Sequence, residues 1–479
     1  MKMEKLMNSR KSDLKTHSVI AELEGILLVS PSSFPYYMLL AVEAGSLLRG
    51  FALLLVYPFL LFLQHYVSKS MAAKILIFIS VAGVPFQDIE KVGRTVVPRF
   101  YASDVRRETW KVFKSCMKKK VVVTSMPEVI VRPFVQEYLG GDEVLGTELE
   151  VDNKTGKATG FIRSGDVSIG DVRKTVGEHA PVVGLWGVDS GHRFMDLCKK
   201  NIVLQHDSSA KRAASNDLEA ISIFHDGRFV HRPDPVTALL LFLWMPLGFI
   251  LSLLRIIIFL GIPLRLARSF LQLSGVRIIV HGSSIKTTGV GHLFVLNHRN
   301  NLDPIFVCIS LGRCLPCVTY RLNRLFQILS PIPTKALTRA RNVDAATVSE
   351  LLKESDLIMC PEGTTSRGPY LLRFSGMFAG LTDMIVPVAI NTTEGMFHGT
   401  NFNGSKIIDP LFFFMNPFPT YEITFLDSVD GEHSCKSGRS RFDVANYVQK
   451  ALGEKLGFKC TTLTRKDKYV KLGGRNANI

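Results

Sequence analysis

The string Asn-His-Arg-Asn-Asn-Leu-Asp-Pro at residues 297–304 carries the clearest potential for chemistry in this chain. It follows an apolar run and ends in Pro304, a favoured first residue of a helix, so it predicts a strand-to-helix turn. Asp303 on one ring nitrogen of His298 would fix the tautomer and make the other nitrogen a base for a substrate hydroxyl. The turn contains no Ser or Cys nucleophile, which favours direct transfer. Spacing alone gives equal weight to a structural role, with His298 capping a helix and Asp303 as its N-terminal acid.

A second string, Cys-Pro-Glu-Gly-Thr-Thr-Ser-Arg at residues 360–367, follows another apolar run. Its proline and glycine predict a rigid turn with free backbone N–H groups. Glu362 could accept a hydrogen bond from a polyol hydroxyl, and Arg367 could hold a phosphate through two donors. Arg339 and Arg341 form a second pair of phosphate-binding candidates.

Alternating strands and helices are expected to position these turns, which predicts an α/β unit. Strands are predicted at Val276–His281, His292–Leu296, Cys317–Tyr320, Leu357–Cys360, Ile385–Ile390 and Tyr421–Phe425. Helices are predicted at Pro304–Leu311, Leu322–Leu329, Val343–Lys353, Tyr370–Leu381 and Arg441–Leu456. The basic residues after Cys460 are expected to form a tail that faces solvent or lipid headgroups.

The first half of the chain also predicts α/β structure, interrupted by an apolar segment. Strands are expected at Ser18–Glu24, Val121–Thr124 and Pro181–Leu185, and a helix at Glu128–Leu139. The stretch Phe34–Leu63 could form one tilted helix or a re-entrant pair with a kink at Pro58. A second apolar segment, Pro235–Leu264, fits a membrane span or a hairpin dipping into one leaflet. The predicted domains are therefore residues 1–232, a membrane segment at 233–265, a second α/β domain at 266–460, and a tail at 461–479.

Composition narrows the class of protein. The chain has 479 residues, 47% of them hydrophobic and 21% charged, with a net charge of +16 and a mean hydropathy of +0.19. These values exclude a disordered chain and fit a basic protein on an anionic membrane surface. Scattered Lys and Arg without interleaved aromatics argue against nucleic acid. The basic stretch Met1–Lys15 predicts no secretory signal. The eight cysteines are expected to be reduced, and the lone Cys314-Leu-Pro-Cys317 predicts packed thiols, with no metal site.

In order and spacing, the His…Asp turn, the basic loop, Pro-Glu-Gly-Thr and Val-Pro-Val resemble the four-block signature of glycerolipid acyltransferases, the PlsC-like fold. The resemblance runs nearly end to end with land-plant glycerol-3-phosphate acyltransferases of the cutin and suberin type. Further strings that carry it are Phe-His-Asp-Gly-Arg at 224–228, Phe-Phe-Phe-Met-Asn-Pro at 412–417 and Thr-Arg-Lys-Asp-Lys-Tyr at 464–469. It implies that His298 is the base and Asp303 its orienting group. It also implies a set of substrate-binding residues: Arg299, Arg339, Glu362, Gly363, Thr364 and Arg367 for the acceptor, and Val386 and Pro387 for acyl-CoA. Asn300 departs from the Thr or Ser usual in the family, which predicts altered rather than lost activity.

The resemblance also implies that the first half is a degenerate haloacid-dehalogenase-like (HAD-like) phosphatase domain. The family's Asp-x-Asp-Gly motif is here Glu22-Leu-Glu24-Gly25, and Thr124 matches the hydroxyl of the second motif. The longer Glu side chains would misplace both carboxylates for attack on phosphorus. The downstream acidic pair aligns with Gly187 and Gly191, which removes ligands for Mg²⁺. Asp189 is the one displaced alternative.

The function implied is acyl transfer from acyl-CoA to glycerol-3-phosphate on the endoplasmic reticulum membrane, with the catalytic domain facing the cytosol. The expected product is lysophosphatidic acid, acylated at sn-2 for extracellular lipid polyester. No metal or bound cofactor is implied, because acyl-CoA is a co-substrate. The partners implied are membrane lipids and the two substrates, and the oligomeric state stays open. Alternatives are a lysophospholipid acyltransferase and a non-enzymatic membrane scaffold.

Overall fold

The computed structural model describes residues 15–163, 169–177, 182–188, 195–214, 217–220, 223–282, 291–320 and 330–474. It divides into two compact units. Unit 1 contains residues 1–227 and 232–242, and unit 2 contains residues 228–231 and 243–479. The predicted boundaries at residues 232 and 265 therefore differ from the observed division. The predicted helix Leu322–Leu329 and the alternative ligand Asp189 lie outside the described residues.

Unit 1 is built on a five-stranded parallel sheet in the order β3-β2-β1-β6-β7. The strand β1 occupies its centre because Val19, Ile20 and Ala21 are apolar on both faces and buried. A two-stranded antiparallel ribbon, β4–β5, completes the β structure of the unit. The strands are β1 Ser18–Glu22, β2 Lys120–Pro127, β3 Glu143–Thr147, β4 Leu149–Asp152, β5 Lys157–Ile162, β6 Val182–Gly187 and β7 Lys200–Leu204.

The apolar segment of unit 1 contains two α-helices. Its first part, α1, is short and all seven of its residues are buried, so it belongs to the protein core. The next helix, α2, spans 20 residues and contains Pro58, and it packs against α3. The helices of this unit are α1 Phe34–Leu40, α2 Leu47–Tyr66, α3 Lys69–Val81, α4 Phe86–Thr95, α5 Val97–Ala102, α6 Arg107–Ser115, α7 Glu128–Phe134 and α8 Ile169–Val176.

Unit 2 is built on a seven-stranded sheet in the order β11-β10-β12-β9-β14-β15-β8. All neighbouring strands run parallel except β14 and β15. The central strand β9 is completely apolar and at most 1% exposed, as expected for a parallel strand covered on both faces. The strands are β8 Arg277–His281, β9 Leu293–Leu296, β10 Cys317–Thr319, β11 Thr334–Ala336, β12 Leu357–Met359, β13 Tyr370–Leu371, β14 Ile385–Thr393, β15 Thr420–Phe425 and β16 Lys459–Cys460.

The helices of unit 2 include counterparts of three that the sequence predicted and several that it did not. They are α9 Pro235–Gly261, which begins in unit 1, α10 Leu264–Leu273, α11 Asp303–Leu311, α12 Arg341–Glu354, α13 Asp409–Met415, α14 Arg441–Leu456 and α15 Arg465–Gly473. The predicted helix Tyr370–Leu381 is wrong. The backbone there bonds to other segments: β13 pairs with β16, and the N–H of Arg373 donates to the carbonyl of Leu463. Only a 3-10 turn at Phe378–Gly380 remains helical.

The tail that the sequence predicted after Cys460 contains a helix. Residues Arg465–Gly473 form α15, whose start is fixed by a capping box. The hydroxyl of Thr464 accepts the N–H of Asp467, and the Asp467 carboxylate accepts the N–H of Thr464 at 2.7 Å. Reciprocal bonds of this kind satisfy N–H groups that a helix start otherwise leaves open. This basic segment is therefore an ordered element of unit 2.

Two helices, α2 and α9, have the length and composition to cross a membrane. In each, only 22% of the most apolar 18-residue window is buried within the protein. Large apolar side chains such as Leu55, Leu243 and Ile250 are more than 60% exposed, which a water-facing helix would not favour. Helix α9 begins with 20 uncharged residues and then reaches Arg255.

Arg255 is fully buried in unit 2. Its guanidinium donates to the carbonyl oxygens of Phe414 at 2.7 Å, Asn416 at 2.6 Å and Pro417 at 2.8 Å, and also to that of Ser274. Multiple carbonyl acceptors compensate the cost of burying a charged group. The side chain thus anchors the end of α9 to the body of unit 2.

Candidate active site

The sheet of unit 2 brings the two sequence strings together. Strands β9 and β12 are parallel neighbours, with Leu293 opposite Leu357 and Val295 opposite Met359. The turn at residues 297–302 leaves the carboxyl end of β9, and the loop at residues 360–367 leaves the carboxyl end of β12. Carboxyl ends of adjacent parallel strands are the usual place for ligand sites in such sheets. The strings at residues 297–304 and 360–367 therefore lie side by side at one edge of the sheet.

Asp303 orients His298 as the sequence predicted. The Asp303 Oδ2 atom lies 3.0 Å from Nδ1 of His298 and accepts the backbone N–H groups of Arg299 at 2.6 Å and Asn300 at 2.9 Å. The other oxygen, Oδ1, accepts the hydroxyl of Tyr421 at 2.9 Å. Asp303 is completely buried, and the His298 side chain is 17% exposed. Four donors thus hold one carboxylate, which leaves Nε2 of His298 to meet a substrate.

Asn300 fills the place of the family's Thr or Ser without disturbing the turn. Its Oδ1 atom accepts the backbone N–H of Leu302 at 3.2 Å, and the side chain is buried. This local bond is of the kind that Ser and Thr hydroxyls also make in turns. The substitution therefore keeps the turn that presents His298.

Glu362 joins the two loops. Its Oε1 accepts the N–H of His298 at 2.8 Å, and its Oε2 accepts the N–H of Leu372 at 3.0 Å. Burial raises the pKa of this carboxyl to about 7, and the two backbone donors oppose that rise. Both oxygens are occupied by the protein, which differs from the expected role as acceptor for a polyol hydroxyl. The structure places Glu362 as a positioning residue for His298.

Arg299 is likewise used inside the protein. Its guanidinium donates to the carbonyl oxygens of Ser366 at 3.1 Å and Gly368 at 2.7 Å, and it lies over the ring of Phe458. Burial lowers the pKa of this guanidinium from its usual value. These contacts close the loop of residues 360–367 over the His298 turn.

A cavity of about 770 Å³ lies in front of His298. Apolar side chains form part of its lining, among them Ile305, Val318, Leu337 and Met359. Gly363 and Thr364, both predicted as substrate-binding, line it as well. A cavity that combines an apolar wall with a few polar groups and a base suits a substrate with an acyl chain and a polar head.

The other predicted binding residues are not among the described residues that line this cavity. Arg339 is exposed in a loop, where its φ of 70° is held because Asp344 accepts its backbone N–H. Arg367 donates to the carbonyl of Thr400. Val386 and Pro387 are buried in β14, in register with β9, so they support the site from within the sheet.

A buried ion pair that the sequence did not predict lies beside the turn. Arg228 donates to Oδ1 of Asp409 at 2.8 Å, and Oδ2 of Asp409 accepts the side-chain amide of Asn301 at 3.2 Å. Asp409 is fully buried, and Arg228 is 8% exposed. The string at residues 224–228 had marked Arg228, but no spacing signal linked it to a residue 181 positions later.

The degenerate phosphatase residues lie at the carboxyl edge of the unit 1 sheet. The hydroxyl of Thr124 donates to Oε1 of Glu24 at 2.5 Å, and Oε2 of Glu22 accepts the N–H of Gly187 at 3.1 Å. Burial raises the pKa of Glu24 to about 7. Glu24 is therefore bonded to Thr124 of the second motif, and Glu22 is bonded to Gly187, which aligns with the downstream acidic pair. No group of three or more His, Cys, Asp or Glu side chains that could hold a metal occurs within the described ranges.

Comparison with known proteins agrees with this architecture. A family model described as the HAD-like domain of RAM2-like glycerol-3-phosphate acyltransferases matches residues 18–204, which confirms the predicted fold of the first half. The glycerol-3-phosphate acyltransferase RAM2 of Petunia hybrida is 43% identical over 468 residues, covering 95% of this chain and 97% of the relative. Glycerol-3-phosphate acyltransferase 1 of Arabidopsis thaliana is 36% identical, covering 98% of this chain and 84% of the relative.

Among solved structures, the 1-acyl-sn-glycerophosphate acyltransferase PlsC of Thermotoga maritima aligns with a TM-score of 0.30 and 16% identity, covering 46% of this chain and 97% of that chain. The assignment rests on the sequence relatives, which match nearly end to end. The resemblance inferred from the four blocks is confirmed. This chain belongs to the plant family of glycerol-3-phosphate acyltransferases with a HAD-like N-terminal domain.

Proposed function

We propose that the protein transfers an acyl group from acyl-CoA to a hydroxyl of glycerol-3-phosphate and releases lysophosphatidic acid. Its relatives from Petunia hybrida and Arabidopsis thaliana are glycerol-3-phosphate acyltransferases by name. The observation that carries the proposal is the His298–Asp303 pair, held by four donors at the wall of a partly apolar cavity. A non-enzymatic scaffold has no need for a carboxylate fixed so completely behind an accessible imidazole.

The chemistry follows from this pair. Nε2 of His298 takes the proton of the acceptor hydroxyl as that oxygen attacks the thioester carbonyl carbon. The buried charge of Asp303 stabilises the imidazolium that forms, since the two groups are 3.0 Å apart. Collapse of the tetrahedral intermediate breaks the carbon–sulfur bond, and the imidazolium returns its proton to the departing thiolate. A thioester is already an activated acyl donor, so we expect no resident metal or cofactor.

The N-terminal unit is proposed to lack phosphatase activity. A HAD-like phosphatase needs an aspartate nucleophile and carboxylate ligands for Mg²⁺. Here both glutamates are engaged by Thr124 and by the N–H of Gly187, and Gly187 offers no side-chain oxygen. The described residues at these positions do not fit the metal.

The location and the product class are proposed by analogy with the family. Helices α2 and α9 support attachment to a membrane, and we propose the endoplasmic reticulum with the catalytic unit facing the cytosol. Acylation at sn-2, with lipid polyester such as cutin or suberin as the destination, rests on the resemblance alone.

The test is an assay of microsomes that express the chain, with labelled glycerol-3-phosphate, Mg²⁺ and a panel of acyl-CoAs, followed by positional analysis. We expect 2-acyl lysophosphatidic acid with its phosphate intact. Accumulation of monoacylglycerol that disappears in Glu22→Ala would contradict the loss of phosphatase activity. Transfer to lysophospholipids but not to glycerol-3-phosphate would favour the alternative acceptor.

A further inference from the structure

The cavity in front of His298 is lined by cations that lie outside the four-block signature. Lys406, Arg465 and Lys468 all contribute to its lining, and the described lining contains no Asp or Glu. Lys406 precedes α13, whereas Arg465 and Lys468 belong to α15. Three cations in a partly enclosed cavity without a lining carboxylate create a field that favours a small dianion.

Lys468 is held close to the catalytic turn. Its Nζ donates to the carbonyl of Thr365 at 2.5 Å and lies 3.4 Å from the hydroxyl of Thr364. The next backbone N–H, that of Ser366, donates to the carbonyl of His298 at 2.8 Å. A single peptide group therefore separates the ammonium of Lys468 from the backbone of His298. His298 and Lys468 thus line one cavity and are joined through the loop of residues 360–367.

The cations are brought together by ordered contacts. The ring of Phe402 meets the ring of Tyr469 edge-on, with centroids 4.9 Å apart, and this contact joins the loop before Lys406 to α15. Arg465 lies over the same Tyr469 ring, at 4.7 Å from its centroid. Lys406 lies 3.9 Å from the carboxylate of Asp409, which Arg228 already binds at 2.8 Å. The described residues that line the cavity thus include three cations and no carboxylate.

On the basis of the proposed function, we propose that Lys468, Arg465 and Lys406 form the subsite that binds the phosphate of the acceptor. The hydroxyls of Thr364 and Thr365 lie beside the ammonium, and each can donate its own hydrogen to the same phosphate. This assignment takes the phosphate contact away from Arg339 and Arg367, which are not among the described lining residues. Coenzyme A also carries phosphates, so the test separates the two sources.

The experiment compares Lys468→Gln, Lys468→Arg and Lys406→Gln with wild type in the full-length, membrane-bound protein. Lys466→Gln is the matched control, because Lys466 is an exposed cation on α15 outside the described cavity lining. We expect Lys468→Gln and Lys406→Gln to raise the KM for glycerol-3-phosphate at least about tenfold, since each loses a charge-assisted phosphate contact. The KM for acyl-CoA should change less than about threefold. Lys468→Arg should recover most of the affinity, and Lys466→Gln should match wild type.

Inhibition by inorganic phosphate provides an independent measurement. It should compete with glycerol-3-phosphate in wild type, and the inhibition should weaken about tenfold in Lys406→Gln, which leaves α15 untouched. A raised KM for acyl-CoA with an unchanged KM for glycerol-3-phosphate would assign these cations to coenzyme A and overturn the proposal. An effect on kcat alone would also overturn it, because it would mean that Lys468 only orders the loop. If wild type does not acylate glycerol-3-phosphate at all, the proposed function itself fails.

Discussion

The substitution Asp303→Asn separates the charge of the catalytic pair from its geometry. The amide oxygen of the new side chain can take the place of Oδ2 and accept from His298 Nδ1 and from the N–H groups of Arg299 and Asn300. The amide nitrogen then faces the hydroxyl of Tyr421, which can rotate to accept. The turn should therefore keep its shape and His298 its tautomer, while the negative charge is lost.

The magnitude follows from that charge. A hydrogen bond to an ionised group contributes about 1.5–3 kcal/mol, against roughly 1 kcal/mol for a neutral pair. The charge matters most when His298 becomes an imidazolium, and the neutral amide keeps about 1 kcal/mol of the bond, so the remaining loss of about 0.5–2 kcal/mol should lower kcat by about 2–30-fold. The KM for both substrates should change little, because Asp303 is completely buried and does not touch the cavity.

The assay measures kcat and both KM values for Asp303→Asn and for Tyr421→Phe at equal protein content in membranes. Tyr421→Phe removes the donor to Oδ1 but keeps the charge and the ring contact with Phe306, whose centroid lies 3.8 Å away. We expect its loss to stay below about tenfold, near the worth of one hydrogen bond. A kcat for Asp303→Asn equal to that of wild type would refute the role of the charge. Equal losses in the two variants would show that only the hydrogen-bond network matters.

His298→Ala should reduce acyl transfer at least about 100-fold while the protein still accumulates in membranes, because no other base lies on that turn; near-normal turnover would contradict the assignment. Folding raises the pKa of Glu24 from 4.5 to about 7, so the stability its neutral form provides is complete below about pH 4.5 and is lost as the pH rises through about 7. Glu24→Gln should keep the bond to Thr124 and should remove this loss of stability at high pH, which amounts to about 3 kcal/mol at most. Melting temperatures of detergent-solubilised protein at about pH 5, 6.5 and 8 test this. The same dependence of melting temperature on pH in both proteins would disprove it. The protein should also resist extraction by alkaline carbonate, because α2 and α9 expose long apolar faces; release in a high-salt wash would show attachment by charge alone.

The sequence predicted the parts of the site that depend on local order. His298, Asp303 and Pro304 are close along the chain, so their turn could be inferred from spacing. The meeting of this turn with Glu362 could be inferred because two apolar runs of parallel-strand character precede the two strings. The carboxyl ends of neighbouring parallel strands lie at the same edge of a sheet, and β9 and β12 are such neighbours.

The roles that depend on long-range pairing were beyond the sequence. Glu362 was a plausible ligand for substrate until its two oxygens were found on the backbone of residues 298 and 372. The run Tyr370–Leu381 was predicted as a helix, but Tyr370 and Leu371 pair with β16, which lies 89 residues later in the chain. The basic segment at Arg465–Gly473 looked solvated because its composition is polar. The aliphatic part of a lysine or arginine side chain can pack on apolar surface while its charged end faces a cavity. Composition alone does not show this arrangement.

The contacts of Arg255 indicate the order in which parts of this protein fold. Its acceptors on residues 414, 416 and 417 are synthesised about 160 residues after it, so α9 emerges long before they exist. The 20 uncharged residues that precede it measure about 30 Å as a helix, the thickness of a bilayer core. With the membrane attachment proposed above, the guanidinium first lies at the edge of the lipid, where water and headgroups solvate it, because the bilayer centre would cost about 2.5–3.5 kcal/mol. The carbonyl of Ser274 is made 19 residues after Arg255, whereas the other three carbonyl acceptors become available when α13 and the turn after it have formed. Under that proposal, completion of unit 2 fixes the depth of this helix.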